Sequence, residues 1–178
     1  MEIYKLNPHE DNSPLGLLQI AKTALVATSG NPTPKFNLQE QDEAWIVLDS
    51  DPDRDGSRKP QIAAVRAAIK GRGRWHVAES NPCFEVWLYF HFKEQRGEFE
   101  GQEECKSWKS QVNSMLSGGF DPRKHPLFIG DAKRRAEANF EQEEDGSPKI
   151  GSTELFRLAK SILHLLGDQI RVERRKLP

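Results

Sequence analysis

The sequence is poor in cysteine and contains no long apolar run. Its 178 residues include two cysteines, Cys83 and Cys105, and neither belongs to a Cys-x-x-Cys pair. This indicates neither a disulfide framework nor a zinc knuckle. No window approaches the ~20 apolar residues that a membrane-spanning helix requires, and the amino terminus has no basic segment leading into an apolar stretch. We therefore expect a protein of the reducing cytoplasm that does not enter a membrane.

Charge is abundant but nearly balanced. Charged residues make up 30% of the chain and the net charge is -1, which fits a folded domain with a polar surface and excludes a polycation. Three basic clusters could nevertheless line one phosphate-facing side. For any one of them, a solvated face of mixed charge is the simpler explanation. The clusters are Arg54, Arg58, Lys59, Arg66, Lys70, Arg72 and Arg74, then Lys133, Arg134 and Arg135, then Arg171, Arg174, Arg175 and Lys176.

The order of apolar and turn-forming residues predicts an α/β fold. Residues 3–6 read as a short strand, and Ser13-Pro14 supplies a cap and a first-turn proline for a helix. The continuous apolar run at 44–48 suits a strand buried on both faces. A helix starting at Pro60 and a strand at 75–78 follow. Strands that alternate with helices predict a small parallel sheet with crossover helices.

The second half predicts mostly helix. Residues 83–92 are too long and too uniformly apolar for an exposed strand, so we expect a buried helix there. Apolar positions at helical spacing predict further helices at 105–116, 131–141 and 152–166. We expect one domain over 1–178, with a helical carboxyl-terminal part at 103–170 and a loosely held basic tail at 171–178.

An aspartate-rich loop directly follows the predicted strand at 44–48. Its aspartates alternate at positions 49, 51, 53 and 55. In open α/β sheets, ligand sites lie outside the carboxyl ends of the strands, and Asp49 occupies such a position. Clustered carboxylates repel one another unless a cation neutralises them. The loop therefore predicts a site for a hard, oxygen-seeking cation, Mg²⁺ or Mn²⁺.

Two other interpretations of this loop remain. An EF-hand matches its start, but the twelfth position is Ile62 where a bidentate glutamate is required, and a strand precedes the loop in place of a helix. An acidic turn satisfied by ion pairs with Arg54, Arg58 and Lys59 is the structural alternative. Four alternating aspartates at the end of a strand favour the metal.

Glu85 is a second candidate site residue, because it lies among apolar residues near the start of the predicted helix at 83–92. A buried carboxylate must be paired, protonated or bound to a ligand. A structural salt bridge explains it as well as a functional site does. His91 follows six residues later, and we expect it to be a satisfied core or edge histidine and not a ligand.

Two motifs together resemble a known family. Val-Leu-Asp-Ser-Asp at 47–51 and Ala-Glu-Ser-Asn-Pro-Cys-Phe-Glu-Val-Trp-Leu-Tyr-Phe-His-Phe at 78–92 look like the motifs of the RloB-like proteins of phage defence. Weaker similarity covers 13–24, 133–136 and 147–166. The resemblance implies a Toprim-like fold. It also implies a nuclease effector that accompanies an AAA-type or ABC-type ATPase in abortive-infection and restriction-linked loci.

The resemblance also implies roles for single residues. Asp49 and Asp51 would be the metal-binding Asp-x-Asp, with Asp53 a weaker third ligand or a residue that holds a water. Asn81 and Glu85 match the second motif and would lie near the metal. Proteins of this kind usually have an earlier strand bearing a catalytic glutamate, and this chain starts too late to show it. Either the chain is a truncated or mis-started version, or the role of that glutamate passes to another residue. Glu85 is the best remaining candidate for the role and Glu2 is a poor one.

Three functions follow from these patterns. The first is a Mg²⁺-dependent nuclease that cuts DNA or RNA, with substrate phosphates held by Arg54, Arg58, Lys59, Lys133 and Arg134. The second is a catalytically silent Toprim-like subunit that binds metal or docks on an ATPase through its helical half. The third, phosphotransfer to a receiver-type aspartate, is weaker, because Asp49 lacks the acidic pair and the later lysine expected at matching strand ends.

Overall fold

The computed structural model describes residues 1–51, 58–116 and 119–177. In this part of the chain it has six α-helices, one 3₁₀ helix and three strands. The described residues separate into two compact units, the first formed by 1–46 and 58–77 and the second by 47–51, 78–116 and 119–177. The boundary therefore crosses the first two strands along the chain.

The first unit is built on two helices that pack against each other, α1 at Pro14–Leu25 and α2 at Lys59–Ile69. The cap predicted for α1 is confirmed: the Ser13 hydroxyl accepts a hydrogen bond from the Gly16 N–H at 3.1 Å. Proline in the first turn favours each helix start, because the missing N–H has no intrahelical partner there. The buried apolar side chains of this unit include Leu18, Ala24, Ile46, Ile62, Val65, Ile69 and Val77.

The sheet contains β1 at Ala44–Asp49, β2 at Trp75–Asn81 and β3 at Ser152–Thr153, in the order β1-β2-β3. β1 and β2 run parallel, as the bonds from Ala44 N to Arg74 O at 2.8 Å and from Ser50 N to Ser80 O at 2.9 Å indicate. α2 lies between them in sequence, so the predicted crossover is confirmed. β3 pairs antiparallel with β2, with Ser80 opposite Thr153. The α/β class is thus confirmed, but the sheet is mixed and the expectation of a wholly parallel sheet is wrong.

The second unit contains the remaining helices: α3 at Glu85–Tyr89, α4 at Cys105–Ser114, the 3₁₀ helix at His125–Phe128, α5 at Ile129–Ala138 and α6 at Leu155–Arg174. Trp108 of α4 is fully buried. The rings of Tyr89 and Phe99 meet it edge-on at 5.4 and 4.8 Å. The Trp108 indole N–H donates to the Gln102 carbonyl at 2.6 Å, so the buried polar end of the ring is satisfied.

Residues 3–6 form no strand. Ile3 is 77% exposed and the Tyr4 hydroxyl donates to the Glu10 carboxylate at 2.7 Å. The predicted strand is wrong because its apolar side chains are not buried against another element.

The predicted helix at 83–92 contains a shorter one, α3. Bonds between residues three apart flank α3, from Val86 N to Cys83 O at 3.1 Å and from Phe92 N to Tyr89 O at 3.0 Å. Such 3₁₀ geometry rarely continues for more than one turn. The expected burial is confirmed for Val86, Tyr89 and Phe90.

The last helix differs from the prediction at both ends. α6 begins at Leu155 because the two residues of β3 precede it. At its other end it continues to Arg174, so the first four residues of the expected tail are helical. The Arg174 guanidinium contacts the Asp131 carboxylate at 3.0 Å and lies 4.4 Å from the centre of the Phe128 ring. No helix in the described part of the chain is long and apolar enough to cross a membrane.

Candidate functional site

Asp49 and Asp51 lie at the carboxyl end of β1. Asp49 is the last residue of the strand and is half-buried. Asp51, also half-buried, donates its N–H to the Pro82 carbonyl at 2.9 Å. Its φ of +41° is in the left-handed region, which is uncommon for a residue other than glycine. The other predicted members of the loop, Asp53 and Arg54, lie outside the described residues.

Asn81 is the last residue of β2 and is buried. Its side-chain amide donates to the Pro148 carbonyl at 2.8 Å, and its own carbonyl accepts from the Gly151 N–H at 2.8 Å. The following peptide bond to Pro82 is cis. Asn81 therefore joins the end of β2 to the segment before β3, next to the residue that holds the Asp51 backbone.

Glu85 is the first residue of α3 and is half-buried. It is a hydrogen-bond partner of the buried Cys83 thiol. Burial first, and then the carboxylate of Glu85 and the neighbouring Cys105, raise the pKa of Cys83 well above its usual value. Cys83 is accordingly a neutral thiol that keeps its proton and donates a hydrogen bond to Glu85.

Two glutamates that the sequence analysis did not select are buried more deeply than Glu85. Glu79 of β2 is 2% exposed and Glu154 is 1% exposed. The Ser50 hydroxyl donates to Glu79 Oε1 at 2.7 Å. The Glu79 N–H donates to Glu154 Oε2 at 3.2 Å, and Arg157 donates to Glu154 Oε1 at 2.8 Å. We call Ser50, Glu79, Glu154 and Arg157 the buried carboxylate network.

A sequence signal for Glu79 existed. It lies two residues after Val77 in a strand, so the period of two puts its side chain on the same face as that of a buried apolar residue. The signal for Glu154 was weaker, because Ser-Thr-Glu before an amphipathic stripe is typical of a helix start. A charge on a buried face is costly unless it is paired, so both positions are candidates for a specific role.

The opposite face of the β2–β3 pair carries hydroxyls. Ser80 Oγ and Thr153 Oγ1 are 2.8 Å apart and both residues are fully buried. The Leu155 N–H also donates to Thr153 Oγ1, at 3.2 Å. Cross-strand neighbours on one face of an antiparallel pair interact directly. The two strand ends are therefore polar on both faces, with carboxylates on one and hydroxyls on the other.

The described residues that were predicted to bind phosphate belong to both units. Arg58 and Lys59 belong to the first unit, where the Arg58 guanidinium donates to the Asn12 carbonyl at 2.5 Å and Lys59 begins α2. Lys133 and Arg134 belong to α5 in the second unit. Lys133 is paired with Glu137.

Arg134 is also paired, in this case with Glu94, together with its neighbour Arg135. Arg134 Nη2 lies 3.0 Å from Glu94 Oε2, and Arg135 Nε lies 2.9 Å from the same oxygen. Arg134 first, and then Arg135, lower the pKa of Glu94 to about 2. A phosphate that bound Lys133 or Arg134 would therefore have to replace the carboxylate of Glu137 or Glu94.

Among residues 1–51, 58–116 and 119–177, no group of three or more His, Cys, Asp or Glu side chains is arranged to hold a metal ion. The described carboxylates thus form no complete protein cage for a cation. A site there would have to complete its coordination with oxygens from other sources, such as water or a substrate phosphate.

Residues 2–162 match the family model described as RloB-like protein. The chain belongs to the RloB-like family. The resemblance predicted from the motifs at 47–51 and 78–92 is thereby confirmed, and the match also includes the buried carboxylate network of this RloB-like chain. No curated protein and no solved structure matches it.

Proposed function

We propose that this RloB-like chain is a Toprim-like nuclease that binds Mg²⁺ or Mn²⁺ through Asp49 and Asp51, hydrolyses phosphodiester bonds of DNA or RNA, and acts in defence against phage. One observation carries the proposal. Two aspartates flank Ser50 at the carboxyl end of β1, where β1 runs parallel to β2. Ligand sites of such sheets lie at this end.

The residues at this strand end fit a magnesium ion. Mg²⁺ keeps several waters and is commonly held by one or two carboxylates together with substrate phosphates. Asp49 and Asp51 supply two carboxylates, which agrees with the lack of a three-residue cage in the described part of the chain. A closed structural site for a soft metal does not fit, because Cys83 is a buried, neutral thiol.

In this proposal Asp49 and Asp51 hold the cation and Glu85 acts as the acid or base of the reaction. A bound Mg²⁺ would polarise the scissile phosphate and lower the pKa of a bound water. Glu85 begins α3 and accepts a hydrogen bond from the Cys83 thiol, which leaves carboxylate acceptor positions for a water. Arg58 and Lys59, at the start of α2, would attract the phosphate backbone, so substrate binding should weaken as salt is added.

The test is calorimetric titration of Mg²⁺ and Mn²⁺ into the wild-type chain and into Asp49→Asn/Asp51→Asn, beside cleavage assays on plasmid, single-stranded DNA and tRNA. We expect binding and cleavage by the wild type and the loss of both in the variant. Asp168→Asn/Glu173→Gln is the matched control, because it removes two carboxylates from exposed positions of α6 and should change neither. If the wild type takes up no cation, the proposal is wrong.

A second function is a catalytically silent subunit that binds metal and docks on an AAA-type or ABC-type ATPase through its helical half. The observation that favours it is that no group of three or more His, Cys, Asp or Glu side chains in the described part of the chain is arranged to hold a metal ion. The same experiment separates the two functions. Cation binding without cleavage of any of the three substrates supports the silent subunit, and cleavage that depends on Asp49 and Asp51 rules it out.

A further inference from the structure

Glu79 lies next to the proposed cation site without being positioned as one of its ligands. Buried residues alternate with more exposed ones along β1 and the residue that follows it. The buried ones include Ile46, Leu48 and Ser50, and the more exposed ones include Val47 and Asp49. Successive side chains of a strand point to opposite faces. The Ser50 hydroxyl donates to Glu79, so the Glu79 side chain lies on the same face of the sheet as that of Ser50. The Asp49 side chain points to the opposite face.

Hydrogen bonds between described residues hold the segment at 49–51 to the end of β2. Two are between backbones, from Ser50 N to Ser80 O and from Asp51 N to Pro82 O, both at 2.9 Å. Any residue at those positions could make them. The third, from the Ser50 hydroxyl to Glu79 Oε1 at 2.7 Å, depends on both side chains. It fixes the rotamer of the residue between the two aspartates.

Glu79 is itself held in place from β3. It donates its N–H to Glu154 Oε2 at 3.2 Å, and its carbonyl accepts the Glu154 N–H at 2.8 Å. Arg157 in turn fixes Glu154 Oε1 at 2.8 Å. The contacts therefore run without a gap from α6 through two nearly inaccessible carboxylates to Ser50. A side chain held in this way on a rigid strand is suited to fix a neighbouring ligand.

We propose that Glu79 is a positioning residue that acts through Ser50 to set the geometry of Asp49 and Asp51 for cation binding. The proposal rests on the proposed function, because it requires a cation at the two aspartates. Groups that orient metal ligands typically change metal affinity 10- to 100-fold when they are removed. Since Ser50 and Glu79 act through one hydrogen bond, losing both should cost no more than losing either.

The test is Mn²⁺ titration into the full chain, below the unfolding transition and with the fold checked by circular dichroism. We expect Ser50→Ala and Glu79→Met each to weaken Mn²⁺ binding about 10-fold, and the double variant also about 10-fold. Glu79→Gln keeps an acceptor for the Ser50 hydroxyl and should restore affinity to within about threefold of the wild type. A purely structural role would not separate Glu79→Gln from Glu79→Met in this way.

Thr153→Val is the matched control. It removes a buried hydroxyl of similar connectivity, bonded to Ser80 Oγ and to the Leu155 N–H, but on the opposite face. We expect wild-type Mn²⁺ affinity in this variant. If Ser50→Ala and Glu79→Met also bind as the wild type does, the positioning role is overturned while the proposed cation site stands. If the wild type binds no Mn²⁺, both proposals are overturned together.

Discussion

Two glutamates of the second unit have similar partners in very different surroundings. The Glu154 carboxylate, with 1% of its side chain exposed, accepts hydrogen bonds from a buried backbone N–H and from Arg157, whose own side chain is 47% exposed. Glu94 meets Arg134 and Arg135 on the surface, with 53% of its side chain exposed. Water reaches the Glu94 carboxylate but not the Glu154 carboxylate. The number of ion pairs is therefore a poor guide to which of the two glutamates contributes more to stability.

The largest loss of stability should come from replacing Glu154, the buried one of these two glutamates. Glu154→Ala leaves the Glu79 N–H unsatisfied and removes the partner of Arg157. The Glu79 N–H is the buried group left unpaired, which costs about 1–3 kcal/mol, while water can solvate the exposed Arg157; we expect a loss of up to about 3 kcal/mol in the free energy of unfolding. Urea denaturation would measure it, with Glu137→Ala on α5 as the surface control. Equal losses in the two variants would remove the distinction between buried and exposed carboxylates.

His91 sharpens the comparison, because it is a buried titratable group next to the exposed cluster. It is 7% exposed, and Arg135 donates to its carbonyl at 2.8 Å. Burial lowers the pKa of His91 from 6.5 to about 4, against a smaller opposite effect of its hydrogen bond to the Trp87 carbonyl, while His125 and Arg135 add to the lowering. His91 is accordingly neutral in the folded chain near pH 7.

The expected pH dependence follows from that shift. Below pH 6.5 the unfolded chain takes up a proton that the folded chain binds only near pH 4, so stability is complete above 6.5 and falls as the pH drops to about 4. The loss is on the order of 3 kcal/mol. His91→Gln should not show this fall, whereas His164→Gln, at an exposed position of α6, should behave as the wild type. Unfolding curves of the wild type and both variants at pH 7, 5.5 and 4 would test this prediction.

The smallest effect should come from Glu94. Its pKa in the folded chain is about 2 against an ordinary 4.5, so its contribution is present above pH 4.5 and is lost as the pH falls through about 2. Glu94→Gln should lower the melting temperature at pH 7 by less than Glu154→Ala does. Added salt should shrink the difference in melting temperature between Glu94→Gln and the wild type, because exposed charges are screened. Glu98→Gln, which removes an exposed carboxylate four residues later, is the control, and a salt-independent difference would contradict the prediction.

Local patterns explain which elements could be predicted from the sequence. The apolar run at 44–48 indicated β1 because a strand covered on both faces needs such a run, and its end correctly put Asp49 at the strand exit. Proline in the first turn indicated α1 and α2. A pattern of two motifs indicated the RloB-like family. Each of these signals, and each of the two motifs taken singly, is a short stretch of consecutive residues.

Pairing between distant residues could not be predicted in the same way. β3 is two residues long, and Ser-Thr at 152–153 has meaning only opposite Ser80 and Asn81. The same lack of a nearby signal hid the buried carboxylate network, since Glu79 and Glu154 look like ordinary surface glutamates until the strands are paired. Arg134, by contrast, looked like a phosphate ligand because its partner Glu94 lies 40 residues away.

The separation between Glu79 and Glu154 has a consequence for how the chain folds. Their contact joins residues 75 positions apart, and the entropy lost on closing a loop grows with its length. Helices such as α5 and α6 need only local contacts and form faster. We therefore expect the buried carboxylate network to assemble after those helices, so that Glu154→Ala should accelerate unfolding more than it slows folding. The part of the chain proposed to orient the cation ligands would then be among the last to acquire its shape.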